Sequence, residues 1–450
     1  MFNDTLSQRN KSIGSINSDD IPFDQQVEPF LIASPDKGST AYNKVKYNKI
    51  RDIEPSSSEK FRLGVSYMGA MGVCGLVLVA IASNLNHLAE NCGTEFLKIG
   101  SVFIARGFGA IFGTILSAKL YATFPGNETI AGSLFLVVIM LIALPSCTSV
   151  IILHIYFFLC GFGTALTDTG CQIMTRKIQG KNAGPWLGAN TVCFGLCGAI
   201  VPIIELSTSD LYAQYLILSA ISLSSVILLW LAPDMEGFEN YLREKLKTRN
   251  KGYAESVIPH YYVEIVISFM VFFLVGGKVS ITAYLNDYII ETKVFEDTYA
   301  DAVVLVLWIA IATGRIIGII MQSSLSDESC QFQLSLLLCA STLSLCLIIS
   351  DYNSSYTMCA GILFYGLFNG PCVGYCYDFL NRSTYPTEVS TSIVMLGVNL
   401  GASILPFLVP LLWGNSSLGP KSLMMMVLIS CMVPIPLLYM AILLKYPKLV

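Results

Sequence analysis

Apolar residues along this chain gather into runs, each close to the roughly 20 residues a helix needs to cross a hydrocarbon core about 30 Å thick. Twelve such runs predict membrane-spanning helices over residues 62–86, 97–119, 129–146, 149–174, 184–206, 211–232, 261–288, 301–322, 331–350, 356–379, 387–413 and 421–444. The short dyad-alternating segments of a membrane β-barrel do not occur, so the predicted class is an all-α membrane protein. Ahead of the first run, residues 1–61 are polar, rich in Ser, Asn, Asp and Lys, and lack an apolar h-region. They read as a disordered cytoplasmic tail, not as a cleaved signal.

Between the sixth and seventh runs lies a charged stretch, residues 233–258, carrying Asp234, Glu236, Glu239, Arg243, Glu244, Lys245, Lys247 and Arg249. It reads as a solvated, partly helical linker. It divides the spans six and six, into a bundle over 62–232 and a second over 259–450 with a short cytoplasmic tail.

Composition agrees: 54% of residues are hydrophobic and 13% charged, which excludes a soluble cytosolic enzyme. With 27 Lys and Arg against 31 Asp and Glu, no basic patch suggests nucleic acid, and the implied partner is the lipid bilayer. Basic residues separate by side. One side holds Lys119, Arg176, Lys177, Lys181, Arg382, Lys445 and Lys448 with the linker and the tail, the other only Lys98, Lys293 and Lys421. By the positive-inside rule both termini are cytoplasmic.

The halves repeat weakly. Arg106-Gly107-Phe108-Gly109 in span 2 matches Arg315-Ile316-Ile317-Gly318 in span 8 as Arg-x-x-Gly. Gly198-Ala199-Ile200-Val201-Pro202 in span 5 corresponds to Gly401-Ala402-Ser403-Ile404-Leu405-Pro406 in span 11, one residue longer, and spans 4 and 10 share a Gly-rich middle at Gly161 to Gly163 and Gly366 to Gly370. Matches in the same order point to a duplicated unit, a common plan among transporters.

Two such bundles, a central loop and inside termini resemble the major facilitator superfamily. In span 4, Leu166-Thr167-Asp168-Thr169-Gly170-Cys171-Gln172 is similar to the acid-Thr-Gly/Ala-x-Asn stretch of the fucose and sodium-dependent glucose symporter branch. The mid-helix Arg106 with its spaced glycines, and Gly276-Gly277-Lys278-Val279-Ser280 in span 7, are similar to that branch too. The resemblance implies two pseudo-symmetric bundles rocking about a midplane site, as a symporter or uniporter of a small-molecule substrate, foremost a monosaccharide. Departures stand beside it. Lys278 replaces the acid that often follows the span 7 glycine pair, span 1 offers Asn84, Asn86 and His87 in place of the acid of proton-coupled members, and the loop motif after span 2 has Ala118 where an acid is usual. A coupling cation is thus an open alternative to uniport.

An ionisable group at membrane depth is expensive unless paired or wet, so it is a functional candidate by default. Arg106, Asp168, Lys278 and Arg315 qualify. At ~1.5 Å per residue, Arg106 falls near the midplane, Arg315 slightly toward the cytoplasm, Lys278 slightly outward and Asp168 about 10 Å inward. Asp168 and Gln172 share a helix face with Gly161, Thr164 and Cys171. That face suits a cavity; the competing reading is a packing seam in which Asp168 meets Arg176 or Lys177. Trp308, Ala312, Arg315 and Gly318 align on span 8, giving a ring for a sugar's C–H face and a donor for its hydroxyls, or else packing and a structural guanidinium. Arg106, with Gly109 and Gly113 on its face, reads as structural.

Span 7 carries a polar stripe at Gly277, Ser280, Tyr284 and Asp287, and Gly276-Gly277 is predicted to break the helix there. Lys278 beside that break would act as a tethered cation in place of sodium. Span 10 offers Tyr365, Gly366, Asn369 and Cys372 on one face, while Tyr377 reads as an interfacial anchor. Asn190 and Asn399 suit either a substrate or interhelical hydrogen bonds.

Most of the 14 cysteines read as small buried hydrophobes; Cys92 and Cys147, in exoplasmic loops, are either a disulfide or free thiols. No Cys-x-x-Cys or His cluster indicates a metal or cofactor, and three histidines give catalysis little material, so no enzyme is expected. Sequons at Asn353 and Asn415 face outward close to the membrane, and those at Asn3, Asn127 and Asn381 are cytoplasmic and silent. Tyr42-Asn43-Lys44-Val45 and Tyr47-Asn48-Lys49-Ile50 are motifs that sorting adaptors bind, favouring a plasma-membrane or endolysosomal address. With three of the four buried charges positive, a small organic anion competes with the sugar. A receptor or accessory subunit that no longer transports is the remaining class.

Overall fold

The computed structural model describes residues 55–94, 99–180, 183–235, 237–240, 261–296, 299–322, 326–352, 354–383, 388–415 and 419–445. Residues 1–54 with the Tyr42 and Tyr47 motifs, linker residues 241–258, and Lys98, Lys181, Glu236, Asn353 and Lys448 lie outside the described residues. Twelve described helices are long and apolar enough to cross a membrane: Ser57–Ser83, Val102–Thr123, Gly126–Ser146, Val150–Gln179, Ala183–Ser207, Leu211–Trp230, Tyr262–Thr292, Ala300–Gln322, Glu328–Ser350, Ser355–Ser383, Val389–Gly414 and Lys421–Lys445. Numbered as spans 1 to 12, they follow the predicted runs to within a few residues.

Span 1 begins earlier than its apolar run because a polar signal starts it. Ser56 Oγ accepts from the Glu59 amide at 3.3 Å while the Ser56 amide donates to Glu59 Oε2 at 2.8 Å, a capping box ahead of the first turn. After Asn84 a short helix, Leu85–Asn91, continues beyond the span, a piece the hydropathy pattern did not separate.

Packing repeats between halves. Span 1 lies against span 5, span 2 against span 4 and span 3 against span 6; in the second half span 7 lies against span 11, span 8 against span 10 and span 9 against span 12. The bundles then meet reciprocally, span 2 on span 11 and span 5 on span 8, with span 1 on span 7 between them. Without a hydrophobic force between helices in lipid, such seams rest on close approach. In the span 2–span 4 seam, a Cβ on Gly109 would strike the Phe158 carbonyl and one on Gly161 the Arg106 carbonyl. Gly113, on the same face, packs on the Phe162 carbonyl, 2.6 Å from where its Cβ would stand.

Span 7 corrects an expectation. It is one continuous helix, Tyr262–Thr292, with no break at Gly276-Gly277. Those glycines admit neighbours instead: a Cβ on Gly276 would lie 2.6 Å from the Gly401 carbonyl, and one on Gly277 would overlap Ser430 Oγ. Interruptions fall instead in span 12, between Lys421–Met432 and Pro434–Lys445, and, beside the cavity, in span 10, where Ser355–Asn369 and Cys372–Ser383 are separated at Gly370-Pro371. Proline has no N–H to continue the ladder and its ring clashes with the preceding turn. Of the two outcomes open for Cys92 and Cys147, the structure has free thiols, with Cys92 Sγ 3.7 Å from the Cys147 carbonyl.

Candidate functional site

Between the bundles lies a cavity of about 60 Å³. Met71 and Leu78 of span 1, Asp168 of span 4, and Thr191 and Phe194 of span 5 line it from the first half. Val275, Lys278 and Val279 of span 7, Trp308 and Arg315 of span 8, Val373 and Tyr377 of span 10, and Val398 of span 11 line it from the second. Its volume admits on the order of five waters, and its wall is mainly apolar with a few polar groups, the usual composition of a small-molecule site.

Each polar group is held differently. Trp308 is 2% exposed, and its indole lies on span 5 because Gly198 leaves room, a Cβ there falling 2.9 Å from the ring. Its Nε1 and Asp168 Oδ1 have no hydrogen-bond partner among the described residues. Neither Arg176 nor Lys177 binds Asp168: Arg176 Nη1 donates to Thr391 Oγ1 at 2.9 Å and Lys177 Nζ to the Tyr121 carbonyl at 3.2 Å. The charged neighbour of Asp168 is Arg106, which is 5% exposed inside the first bundle and not part of the cavity wall.

Arg315, 7% exposed, donates from Nε to the Gly370 carbonyl at 3.3 Å and from Nη1 to the Thr191 carbonyl across the bundle interface. Its guanidinium also sits 5.3 Å from the centre of the Phe194 ring. The Gly370-Pro371 break supplies one of these acceptors. Lys278, 4% exposed, makes a single hydrogen bond among the described residues, to the Asn369 carbonyl at 3.5 Å.

Other candidates sit away from the cavity. Gln172 is buried one turn past Asp168. Ser280 Oγ donates to the Gly276 carbonyl at 2.8 Å, and Tyr284 packs on Phe103 with centroids 6.5 Å apart. Tyr365 is fully buried within the second bundle, and Asn369 Nδ2 points at Cys431 Sγ, 3.5 Å away. Asn190 Nδ2 donates to Thr175 Oγ1 at 3.1 Å, within the first bundle. Asn399 Nδ2 donates to Thr114 Oγ1 at 2.9 Å, tying span 11 to span 2.

Tyr377 corrects a second expectation. It is not an interfacial anchor but a buried member of the cavity wall, 5% exposed, because the helix that restarts after Pro371 turns this face inward. Thr191 and Phe194 were not read from the sequence at all. Phe194 sits at i+3 from Thr191, a periodicity that marked one face of span 5 but not its direction. Among the described residues no group of His, Cys, Asp and Glu is arranged to hold a metal ion.

The bundles are joined on both sides of the cavity. Toward the face that carries Pro55 and Lys445, the terminal face, the ties are Arg176 to Thr391, Asn399 to Thr114, and Ser117 to Ser392 at 3.4 Å. Toward the opposite face, Asn86 Nδ2 donates to Asp287 Oδ1 at 2.6 Å.

Residues 64–406 match the family model of the Major Facilitator Superfamily. The chain belongs to that superfamily. As one of its members it is a multi-pass membrane transporter, not an enzyme. Similar proteins include sodium-dependent glucose transporter 1 of Xenopus laevis, 22% identical over 369 residues, 75% of this chain and 73% of that protein. Sodium-dependent glucose transporter 1A of Mus musculus is 21% identical over 138 residues, 31% of this chain, and the match spans about a third (32%) of the mouse protein's length. Among solved superfamily structures, the proton:xylose symporter XylE, from E. coli, bound to 6-bromo-6-deoxy-D-glucose superposes with a TM-score of 0.70 at 12% identity, covering 86% of this chain and 96% of that one. The human organic anion transporter MFSD10 superposes with a TM-score of 0.63 at 12% identity, covering 84% and 99%. At these identities the superpositions speak for the fold.

Proposed function

We propose that the chain carries a monosaccharide across the membrane by alternating access of the central cavity. The observation that carries this reading is that Asp168 from one bundle and Trp308 from the other face the same cavity, each with an unused polar atom. An indole face suits the C–H face of a pyranose, its Nε1 donates to a ring hydroxyl, and a carboxylate oxygen accepts from another. A site shared between two halves changes access when they rock. Similarity to proteins named as sodium-dependent glucose transporters supports the same substrate class.

In this reading the terminal face is cytoplasmic, following the basic residues. The polar tail 1–61 and the linker 233–258 flank bundles 62–232 and 259–450, and the tail's tyrosine motifs engage sorting adaptors at the plasma membrane or in endolysosomes. The test is counterflow of labelled hexose in proteoliposomes, with Asp168→Ala and Trp308→Ala as variants. Hexose exchange that both variants reduce at least tenfold supports the reading, and absence of exchange with any labelled monosaccharide, neutral or acidic, removes it. A small organic anion is the second reading, favoured by the weakly bonded ammonium of Lys278 in the cavity wall.

A further inference from the structure

From the way the four buried charges are satisfied, we infer that the solute is a sugar acid, a monosaccharide bearing a carboxylate, and that Lys278 selects it. The inference rests on the monosaccharide reading above and narrows it.

Charge inside the cavity region does not balance. Arg106 and Asp168 are oppositely charged neighbours within the first bundle; Arg106 Nε and Nη1 have no hydrogen-bond partner among the described residues, but Arg106 lies outside the cavity wall. Arg315 is engaged: carbonyls of Gly370 and Thr191 accept its N–H groups and Phe194 lies against its plane. Of the two cations in the cavity wall, Lys278 is the less engaged. Its ammonium has three donors and uses one, at 3.5 Å, the outer limit of a hydrogen bond. Its charged neighbour is Arg315, of the same sign, and among the described residues no carboxylate pairs with it. A buried ammonium without a counter-charge is strongly disfavoured unless something else brings one.

Lys278 lines the cavity, so a ligand there can bring it. A neutral hexose would answer Trp308 and Asp168 but leave the Lys278 charge uncompensated. A simple carboxylate would answer Lys278 but leave Trp308 Nε1 and Asp168 Oδ1 unpaired. A hexuronate answers all three: its carboxylate accepts from Lys278, a hydroxyl donates to Asp168, another accepts from Trp308, and the ring face lies on the indole. The opposite charge of neighbouring Arg106 reduces the repulsion between Asp168 and such a ligand.

The experiment uses the full chain in proteoliposomes and compares counterflow of labelled D-glucuronate, D-glucose and L-lactate, in wild type and in Lys278→Gln and Lys278→Arg. The expected result is a half-saturating concentration for glucuronate at least tenfold below that for glucose. Lys278→Gln should shrink that ratio at least tenfold and Lys278→Arg should restore part of it. Equal handling of glucose and glucuronate, or a ratio unmoved by Lys278→Gln, overturns the sugar-acid inference while leaving monosaccharide transport standing. Lactate carried as well as glucuronate overturns it in favour of a simple anion site. Movement of neither sugar removes the monosaccharide reading itself. If Lys278→Gln does not fold, the wild-type ratio alone decides.

Discussion

Asp287→Ala should free the face opposite the termini. Asn86 of the segment after span 1 and Asp287 of span 7 belong to different bundles, and their 2.6 Å hydrogen bond must part before the cavity opens on that side. A hydrogen bond to a charged group contributes ~1.5–3 kcal/mol, and because both residues are half-buried the lower part of that range, ~1.5–2 kcal/mol, applies. At 1.4 kcal/mol per decade this shifts the open population roughly 10- to 30-fold. Neighbouring amide–carboxylate pairs do not compensate, since Asn84 to Glu205 (2.8 Å) and Asn286 to Asp301 (2.6 Å) each join helices of one bundle and stay intact as the halves separate. All of these residues except Asn84 line a small pocket of about 10 Å³ that also contains Thr282. Thr282 is 2% exposed, so a cysteine placed there reports opening. The labelling rate of Thr282→Cys by a membrane-impermeant maleimide, followed peptide by peptide in mass spectrometry, should rise about tenfold or more when Asp287→Ala is added. Thr391→Ala, which removes the acceptor of Arg176 on the terminal face, should lower the same rate. Labelling that changes less than twofold with Asp287→Ala, in protein of unchanged melting temperature, would refute the assignment of this contact as a gate.

Three further outcomes follow from the packing. Gly161→Leu drives a side chain into the Arg106 carbonyl and should destabilise by at least the ~1–3 kcal/mol of core overpacking, read as a lower melting temperature in detergent. Arg315→Lys keeps the charge but loses the two-carbonyl grip and the Phe194 contact, and should reduce flux ~10-fold or more while the protein still folds, read by counterflow. Lys278→Glu places an acid in the cavity wall and should make uptake depend more strongly on external sodium or protons than in the wild type, checked by replacing sodium with choline across a pH series.

Hydropathy revealed the spans because bilayer thickness imposes a length that no tertiary contact overrides, and the weak Arg-x-x-Gly repeat matched spans 2 and 8, which occupy equivalent places in the packing of the two halves. The four buried charges were visible for a related reason: each costs too much to be accidental. What each charge meets was less visible. Arg315 is held by main-chain carbonyls of Gly370 and Thr191, and a carbonyl belongs to every residue, so no side-chain pattern announces it. Thr191, Phe194 and Tyr377 entered the cavity wall through the rotation of spans 5 and 10, which depends on how the neighbouring bundle is packed.

The glycine pair of span 7 illustrates where sequence reasoning divides. Gly276-Gly277 is compatible with a helix that breaks and with one that is closely approached, because a missing Cβ serves both. The neighbours decide: the Gly401 carbonyl and Ser430 Oγ occupy the space, so the helix runs on unbroken. In span 10 the break falls at Gly370-Pro371, whereas Pro202 in span 5 and Pro406 and Pro410 in span 11 lie inside unbroken helices, so a proline alone does not fix the place of a break either. That break matters to the site, for it offers the Gly370 carbonyl to Arg315 and turns Tyr377 inward, while unbroken span 7 fixes Lys278 on a rigid rod facing the cavity. A sparsely bonded ammonium on span 7 and a carboxylate on span 4, with Arg106 as its charged neighbour, give the two halves unequal roles: the first offers an acceptor, the second a charge. Closure on a ligand that carries both hydroxyls and one negative charge would then draw on both halves at once, and this supplies a reason for the bundles to close on cargo rather than on an empty cavity.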